Sequence, residues 1–288
     1  MQALQKFKVA LSPSELHVLQ LCLKEAKQAL PLDSIPWYLE GSDEIAGHLK
    51  PEHAKILLSF SSEWKSFSNG LRWGGVESTP LARTHSLELL TQQLRSNGHI
   101  PGWRNEQFSF WSKDDRLNQE AFIPDPECKD TFRMERAAFR FFGLHSHAVH
   151  MNGFTSNGDM WCGRRSTTKS VDPGMLDNLA AGGLPAGESL IACGVREMAE
   201  EAGLPPSLAQ LATPCGHVET CRPVKEGWHH ETLWVYNIEL PDQFIPVNQD
   251  GEVSEFVRLS PSEVVEAIQQ KAFTVDASCV IAHAVLQL

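Results

Sequence analysis

The sequence predicts an α/β protein in which a layered α/β/α sandwich with a mixed sheet follows a smaller α+β domain. After residue 145, short strand-like runs alternate with Gly, Asn and Pro signals. An amphipathic helix and further strands come next, and two helical runs follow them, an order typical of helices on both faces of a sheet. The length of 288 residues favours two compact domains, predicted at 1–145 and 146–288.

Composition and charge limit the classes of function. The chain is 42% hydrophobic and 21% charged, as in ordinary globular proteins, and its net charge of -11 disfavours general binding to nucleic acid. An anionic substrate would need a metal ion or a local basic patch. The lack of a signal peptide or a membrane-spanning run predicts a cytoplasmic protein with no membrane partner. The seven cysteines form no Cys-x-x-Cys pair and are predicted to be reduced thiols.

Hydrophobic spacing and turn residues predict the elements of the first domain. Its first helix is predicted in SPSELHVLQLCLKEAKQAL, after a Ser-Pro-x-Glu cap and before Pro31 and Pro36. A second helix, HSLELLTQQLRSNG, has Gly98 at its C-terminal end. Strands are predicted from GWRNEQFSFWS onward, and a helix in FRMERAAFRFFGLH runs into Gly143. The segment between the first two helices gives no clear prediction.

The elements of the second domain are predicted in the same way. Strands are predicted in AVHMNGFTS, DMWCGRR, MLDNLAAGG, CGHVETCRP, ETLWVYNIEL and GEVSEFVRLS, and helices in PSEVVEAIQQ and DASCVIAHAVLQL. In an extended HSHAVH run, His145 and His147 point one way and His150 the other, so a three-ligand zinc site is geometrically awkward. These histidines are therefore predicted to be structural.

The segment GGLPAGESLIACGVREMAEEAGL predicts a helix that carries a group of glutamates. At about 100° per residue, one apolar stripe is predicted to pack on the sheet. Its members are Ile191, Val195, Met198 and Ala202. The carboxylates of Glu197, Glu200 and Glu201 are predicted to share the opposite face. A solvated helix surface, with Arg196 as a counter-ion, is the simplest interpretation of such an acidic run.

The spacing of the fixed residues favours a functional site instead. The pattern contains Gly182, Glu188 after five intervening residues, Arg196 after seven more, and then Glu197, Glu200, Glu201 and Gly203. This pattern resembles the signature of the Nudix hydrolases at every fixed position. A solvated helix needs neither a glycine-rich entry loop nor an arginine and a terminal glycine in register with its acids.

The resemblance implies a hydrolase of diphosphate linkages that uses Mg²⁺, with Mn²⁺ as an alternative. It implies that Glu197, Glu200 and Glu201 bind the metal, with the backbone carbonyl of Ala181 as a further ligand. Mg²⁺ prefers oxygen ligands and commonly bridges carboxylates to substrate phosphates. The partner implied is thus a small molecule with a diphosphate group.

The remaining site residues complete this chemistry. By the same resemblance, Arg196 and Glu200 are catalytic, with Arg196 orienting the carboxylates, and Glu188 braces the loop against the helix. Glu252 in DGEVSEF is predicted as the general base, because an acid on a loop or strand after the helix can reach the attacking water, and Glu255 is its rival. The motif glycines, which permit the tight loop and the helix end, are Gly182, Gly183 and Gly203.

The stretch WCGRRSTTKSVDPGMLDNLAAGGLPAGES is similar to a narrower Nudix group, the domain fused to fungal thiamine pyrophosphokinase and its bacterial, yeast and plant-plastid relatives. Further matches lie in GWRNE, ERAAFRFFG, AVHMNGF and DGEVSEF. This implies thiamine diphosphate or its oxidised derivatives as the substrate. Arg164, Arg165 and Lys169 are candidates to bind the phosphates, and Trp161 or Trp228 to stack on a flat ring. Loop solubility and core packing are the competing interpretations.

Two alternatives remain open at this stage. The same chemistry on a nucleoside diphosphate derivative fits equally well, because the motif reads only the diphosphate and the metal. A non-catalytic Nudix fold used for ligand sensing or protein contact is the other, although every acid of the motif is present.

The matches in the first domain suggest that this domain forms one wall of the substrate pocket. One departure from the narrower group is Asn237, where an aspartate is expected.

Overall fold

The structure, a computed structural model, describes residues 2–74, 79–112, 123–169 and 171–288. The helices are α1 (Gln2–Ala10), α2 (Pro13–Glu25), α3 (Pro51–Phe60), α4 (Pro80–Ser96), α5 (Arg136–Phe142), α6 (Leu190–Ala202), α7 (Pro206–Ala209), α8 (Pro261–Gln269) and α9 (Val275–Leu286). The strands are β1 (Ile35–Leu39), β2 (Ile45–Leu49), β3 (Trp64–Phe67), β4 (Gly70–Trp73), β5 (Gln107–Phe110), β6 (Phe132–Glu135), β7 (His145–Phe154), β8 (Met160–Arg165), β9 (Leu176–Asp177), β10 (Ala180–Gly183), β11 (Thr213–Val224), β12 (Gly227–Glu239) and β13 (Val253–Leu259).

The first half of the chain forms a small α+β unit. Its four-stranded sheet has the order β2-β1-β4-β3, and the β5-β6 hairpin forms a separate ladder. Tryptophans and phenylalanines fill the core, where Trp37 and Phe142 are fully buried and the Trp37 indole donates a hydrogen bond to the Phe142 carbonyl. The predicted helices occur as α2, α4 and α5, with Gly143 in the left-handed conformation at the end of α5. The helix predicted in FRMERAAFRFFGLH starts only at Arg136, because FRME pairs with β5 as strand β6. The part of the predicted strand region after residue 112 lies outside the described residues.

The second half contains the predicted α/β/α sandwich with a mixed sheet. Seven strands form this sheet in the order β11-β12-β7-β8-β13, with β10 paired to β7 and β9 paired to β8. β7 and β12 are parallel, whereas the other pairs are antiparallel. Because side chains alternate along β7, Val149 and Met151 pack with α6 on one face, while Ala148 and Phe154 pack with α9 on the other. The fold class predicted from the sequence is confirmed.

Helices α1 and α2 pack on the second half of the chain, although they precede the first sheet. Their apolar side chains join the same core as α8 and α9, and the Phe7 and Phe154 ring centroids are 5.6 Å apart. Helix α1 was not predicted from the sequence. Helix α2 was predicted, and Ser12 and Glu15 form the predicted capping box there. The helix ends at Glu25, before Pro31. The domain boundary at residue 145 stays a prediction, and the packing adds residues 2–25 to the core of the second half.

Helix α6 presents a different face to the protein from the one predicted. Ile191, expected in the buried stripe, is 39% exposed, whereas Glu201, expected on the solvent face, is only 6% exposed. Met198 and Ala202 are buried as predicted. The reason is that the backbone of β10 packs beside the helix and covers its acidic flank, so burial does not follow the most apolar face. Because the buried face of α6 is displaced in this way from the predicted one, the glutamates of α6 lie toward β10.

In the described part of the chain, no helix is both long and apolar enough to cross a membrane.

We predict that Phe7→Ala lowers the free energy of unfolding by about 3–5 kcal/mol, because it empties a fully buried position against Phe154. Chemical denaturation measures this change. Val9→Ala is the matched control, since Val9 is 73% exposed and its truncation should change stability by less than about 0.5 kcal/mol. Equal effects of the two substitutions would show that α1 is not part of this core.

Candidate active site

A cavity of about 440 Å³ lies where α6, β10, β7 and β12 meet the first half of the chain. Its lining includes Ala181, Gly182, Arg196, Glu197 and Glu200, all of which belong to the predicted motif. The cavity is rich in ionisable side chains of both signs. The motif therefore lies in a concave site, as expected for residues that bind a small molecule.

Arg196 joins the carboxylates of the motif. Its guanidinium makes two bonds of 3.1 and 2.9 Å to Glu188, and its Nη1 donates to Glu197 at 2.8 Å and to Glu200 at 3.0 Å. Burial alone would lower the pKa of Arg196, but its bonds to Glu188 and the charge of Glu197 outweigh burial and raise it. The planar fork of arginine suits this multiple contact, which one lysine ammonium could not reproduce. This geometry matches the orienting part predicted for Arg196 and the bracing part predicted for Glu188.

Glu201 lies deepest among the three acids. Its Oε2 accepts a hydrogen bond of 2.9 Å from the Ala181 backbone N–H. Burial, reinforced by the neighbouring Glu197 charge, raises the pKa of Glu201 to about 8. Burial also raises the pKa of Glu197, against the opposing effect of Arg196. Carboxylates held together in this way are destabilised as anions, and a cation between them relieves both the repulsion and the desolvation.

The loop before α6 is shaped to admit these side chains. A Cβ added at Gly182 would collide with the Glu197 side chain, and one at Gly183 would press on the Phe108 ring. At the other end of α6, Gly203 has φ = 66°, the left-handed conformation expected of a glycine that ends a helix. Ser189 caps the start of the helix by accepting a bond from the Ala192 N–H.

This donor set fits a hard divalent cation. Glu197, Glu200 and Glu201 offer carboxylate oxygens beside the peptide of Ala181, and oxygen ligands of this kind suit Mg²⁺ or Mn²⁺. Glu197 and Glu200 meet at Arg196, and Glu201 lies against the Ala181 N–H. Among the described residues, the ligand atoms of these three acids do not all lie within 4.8 Å of one another. The metal-binding role of each residue stays a proposal.

The predicted general base and its rival are separated by the structure. Glu252 lines the cavity and forms an ion pair with Lys169, whose side chain is 15% exposed. Burial lowers the pKa of Lys169, while Glu201 opposes this effect. Glu255 instead pairs with Arg164 and does not line the cavity. The position of Glu252 is thus compatible with its predicted part, and that of Glu255 is not.

The predicted phosphate-binding residues are placed only in part as expected. Arg165 and Lys169 line the cavity, but Arg165 already bonds Asp177 at 2.9 Å and Lys169 pairs with Glu252. Arg164 does not fit the prediction, because adjacent residues of a strand point to opposite faces and its guanidinium bonds Glu255 and the Gly174 carbonyl.

The two tryptophans proposed for stacking do not line the cavity. Trp228 is 4% exposed, and Trp161 packs beside the α6 core. Core packing therefore explains both. Asn237 is buried and accepts a hydrogen bond from Asn152 at 2.9 Å. This departure from the narrower group lies in a structural network and does not line the cavity.

The histidines of β7 divide between the two faces, as their spacing predicts. His145 stacks on His230 with ring centroids 4.3 Å apart, and His147 receives a bond from the Trp234 indole. On the other face, His150 lines the cavity and its Nδ1 lies 2.8 Å from Asn178 Oδ1. The three rings therefore have separate partners, which agrees with the structural prediction for them.

The first half of the chain forms one wall of the cavity, as its family-like segments suggest. Arg104, Glu106, Phe108, Arg136 and Arg140 all line it. Sequence reasoning did not single out these side chains, nor Asp177 and Asp250 on the other wall. The sequence feature that could have indicated the first-half residues of this lining is that GWRNE and ERAAFRFFG are rich in charged and aromatic residues.

The site is a group of carboxylates around Arg196 on α6, at one face of an α/β/α sandwich. The family model of the NUDIX domain matches residues 145–282, just under half of the chain, and this part of the chain is similar to a NUDIX domain. Nudix hydrolase 24, chloroplastic, of Arabidopsis thaliana is 33% identical over 250 residues, which are 85% of this chain and 64% of the relative. Nudix hydrolase 20, chloroplastic, of the same plant is 33% identical over 254 residues, 83% of this chain and 63% of the relative.

The chain thus spans just under two thirds of the length of these curated relatives. Among solved structures, the crystal structure of DR0079 from Deinococcus radiodurans covers 62% of this chain and 99% of its own. Its sequence identity is 18%, and the TM-score is 0.44.

We predict that Glu201 contributes a loss of stability to the metal-free protein as the pH rises from 5 to 8. The folded protein keeps a proton on Glu201 up to about pH 8, whereas the unfolded chain releases it near the ordinary value of about 4.3. The stabilisation is complete below the unfolded pKa and lost as the pH rises to the folded pKa. Glu201→Gln stays neutral, so its melting temperature should fall by several degrees less over this range.

Thermal unfolding in the presence of a chelator measures this difference. Glu266→Gln is the matched control, because Glu266 is an exposed acid on α8 and its loss removes the same charge. The control should follow the wild-type curve. Parallel melting curves for the wild type and Glu201→Gln would contradict the raised pKa.

Proposed function

We propose that the chain is a hydrolase that uses divalent metal ions, with Mg²⁺ preferred, to cleave a diphosphate linkage and give a monophosphate. The observation that carries this proposal is the contact of Arg196 with Glu197 and Glu200 at the cavity wall, with Glu201 buried behind them against the Ala181 peptide N–H. These residues would hold the metal. The names of the two plant relatives support a hydrolase, since both are called Nudix hydrolases.

The reaction is attack of water on a phosphorus atom. A bond forms between the water oxygen and phosphorus, the P–O bond of the diphosphate bridge breaks, and a phosphate leaves with the bridging oxygen. When bound, the divalent cation neutralises the diphosphate and stabilises the charge that develops on its oxygens. The residues of the chain supply orientation: Arg196 fixes Glu197 and Glu200 in direction, and Glu188 fixes Arg196.

Glu252 is our candidate to accept the proton of the attacking water. Its carboxylate is held at the cavity wall by Lys169, which restricts the rotamers available to it. Lys169 and Glu252 line the same cavity as Glu197 and Glu200. The proposed base thus faces the same space as these acids, as proton transfer from a water in that space requires.

For the substrate we propose thiamine diphosphate or its oxidised derivatives. The support is the similarity of PGMLDN, running directly into AGGLPAGES, to the thiamine-pyrophosphokinase-associated Nudix group. The cavity also has room for phosphate contacts from Arg104 and Arg140, whose guanidinium groups have no carboxylate within 4 Å among the described residues. The partner is then a small molecule. The cytoplasmic location and the absence of a nucleic-acid partner stay predictions.

We predict that the purified protein with Mg²⁺ releases phosphate and a monophosphate from thiamine diphosphate or its oxidised forms. Glu197→Gln should reduce kcat/KM by more than about 100-fold, since even outer-shell partners of a metal commonly contribute 10–100-fold. A panel that includes ADP-ribose and nucleoside diphosphates measures the preference, and Glu266→Gln serves as the charge-matched control.

Turnover of nucleotides alone would keep the hydrolase and replace the thiamine compounds by a nucleoside diphosphate derivative. Absence of turnover of the whole panel by the folded protein would contradict the hydrolase and favour a ligand-binding NUDIX domain.

We predict that Glu252→Gln lowers kcat by about 10²–10⁴-fold, the usual contribution of a general base, with little effect on KM. The amide cannot accept the proton, so the fall of kcat toward acid pH should also disappear. Glu255→Gln is the matched control, because Glu255 pairs with Arg164 outside the cavity. Equal losses for both variants would show that Glu252 is not the base.

A further inference from the structure

The cavity extends well beyond the metal-ligating acids. Ala181 lies opposite His150 on β7, whereas Glu231 lies opposite Ser146, four residues further along the same strand. At about 3.3 Å per residue, the two positions are about 13 Å apart along the strand. Ser146, Ala148 and His150 share one face of β7 and all line the cavity, so they form a continuous floor between its two ends.

A compact group of polar side chains forms the far end of this floor. His229 and Glu231 lie on β12, and Asp276 lies in the first turn of α9. His229 Nε2 is 3.3 Å from Asp276 Oδ2 and 3.5 Å from Glu231 Oε2. All three side chains line the cavity and are largely buried, with exposed fractions of 4%, 12% and 17% for His229, Glu231 and Asp276.

Asp276 is already neutralised by a structural partner. Arg222 donates one hydrogen bond to each Asp276 carboxylate oxygen, at 2.7 and 2.8 Å. Burial alone would raise the pKa of Asp276, but His229 and Arg222 outweigh it and hold the pKa well below the usual range. This bidentate pair ties α9 to β11. It also engages the arginine, so Arg222 is not available as a close partner for Glu231.

Glu231 has no lysine or arginine partner of its own. Its Oε1 accepts a hydrogen bond from the Ser146 hydroxyl at 2.8 Å, and within the described residues no lysine or arginine nitrogen is within 4 Å of its carboxylate. Its nearest group able to carry a positive charge is His229, which Asp276 shares, and Glu226 adds a further acid to this end of the cavity. Acids that outnumber the nearby cations in a partly buried place are costly unless a ligand completes their environment.

His229 gives a second, independent sign of a missing ligand. Its Nε2 is buried and has no hydrogen-bond partner of acceptable geometry. Four side-chain atoms share this condition among the described residues, and His229 Nε2 is the one whose residue lines the cavity. Buried polar atoms are normally satisfied, so an orphan atom at a cavity wall is a candidate ligand contact.

We propose that Glu231, His229 and Asp276 form a recognition subsite for the far end of the substrate, and that this subsite binds a positively charged or amino-substituted nitrogen heterocycle. The inference rests on the proposed function, because it places the diphosphate at the other end of the cavity. Glu231 accepts a hydrogen bond from the amino group or faces the ring charge. His229 Nε2, which makes no hydrogen bond of acceptable geometry to Asp276 or Glu231, contacts a ring nitrogen or amino group, and Asp276, held by Arg222, adds negative charge beside it.

Through this subsite, residues outside the metal-ligating motif determine which diphosphate substrate is preferred. A neutral sugar or an alkyl group offers no charge to Glu231, and an additional phosphate there would be repelled by Glu226 and Glu231. A diphosphate with a cationic or amino-bearing ring therefore gains contacts at both ends. A diphosphate without such a ring is held at one end only.

We predict that Glu231→Gln lowers kcat/KM for thiamine diphosphate by about 10- to 100-fold, the effect of losing a hydrogen bond to a charged group. The loss should fall mainly on KM. Methyl diphosphate, which has no ring, should be hydrolysed equally well by the variant and the wild type. Glu266→Gln is the charge-matched control and should behave as the wild type with both substrates.

Binding of phosphate-free thiamine, measured by calorimetry with a chelator present, tests the subsite without hydrolysis. The wild type should bind it, and Glu231→Gln should bind it at least 10-fold more weakly. If binding follows this pattern but no diphosphate is hydrolysed, the subsite stands and the proposed hydrolase fails. If hydrolysis occurs but Glu231→Gln changes neither binding nor kcat/KM, the subsite is overturned and the hydrolase stands.

Two other results would also overturn the subsite. An equal loss of activity toward methyl diphosphate and thiamine diphosphate would assign Glu231 a general structural effect. Loss of one bound Mn²⁺ in Glu231→Gln, measured by metal titration, would assign His229, Glu231 and Asp276 to a metal site instead.

Discussion

The contact of one guanidinium with three carboxylates sets the geometry of the whole site. Arg196 holds Glu188, Glu197 and Glu200 within 3.1 Å. Without it, these acids would separate, because like charges in a partly buried place repel and lose hydration together. The contact also ties the entry loop, which carries Glu188, to the helix that carries the other two acids. The loop, the helix and the acids are therefore positioned as one unit, and the cavity is formed against it.

The residues of this unit could be predicted from the sequence. The way in which the unit packs against the rest of the fold was predicted less accurately. The spacing of Glu188, Arg196 and the acids, together with Gly203 at the helix end, indicated both the helix and its contacts. The hydrophobic stripe gave only part of the buried face, since Met198 and Ala202 are buried but Ile191 is exposed, because periodicity measures how apolar each side is and not what packs beside it. Glu201 is buried since the Ala181 peptide N–H receives its carboxylate, and a long-range backbone partner of this kind leaves no trace in local spacing.

The rest of the fold contains elements that local sequence patterns do not predict. Strands β1 to β4 are each four or five residues long and contain Pro36, Gly47 and Gly70, so neither period 2 nor period 3.6 is developed there. Helix α1 is short, and its place depends on a core more than 140 residues away in sequence. The same holds for the far end of the cavity: His229 and Asp276 are joined only by the register of β11 and β12 and by the start of α9. Such residues cannot be recognised as a group from the sequence before the topology is known.

The two halves of the cavity are also mechanically linked. Gly227, at the start of β12, has φ = 143°, and a Cβ there would collide with the Arg140 carbonyl at the end of α5. The turn between β11 and β12 therefore packs directly on the helix that supplies part of the first-half wall. His229 and Glu231 follow two and four residues later on the same strand. Because of this contact, a shift of α5 relative to the sheet would move the arginine wall and the far-end acids together. The first half of the chain thus does more than cover the acids of α6, since it lines the cavity and packs against the strand that carries His229 and Glu231.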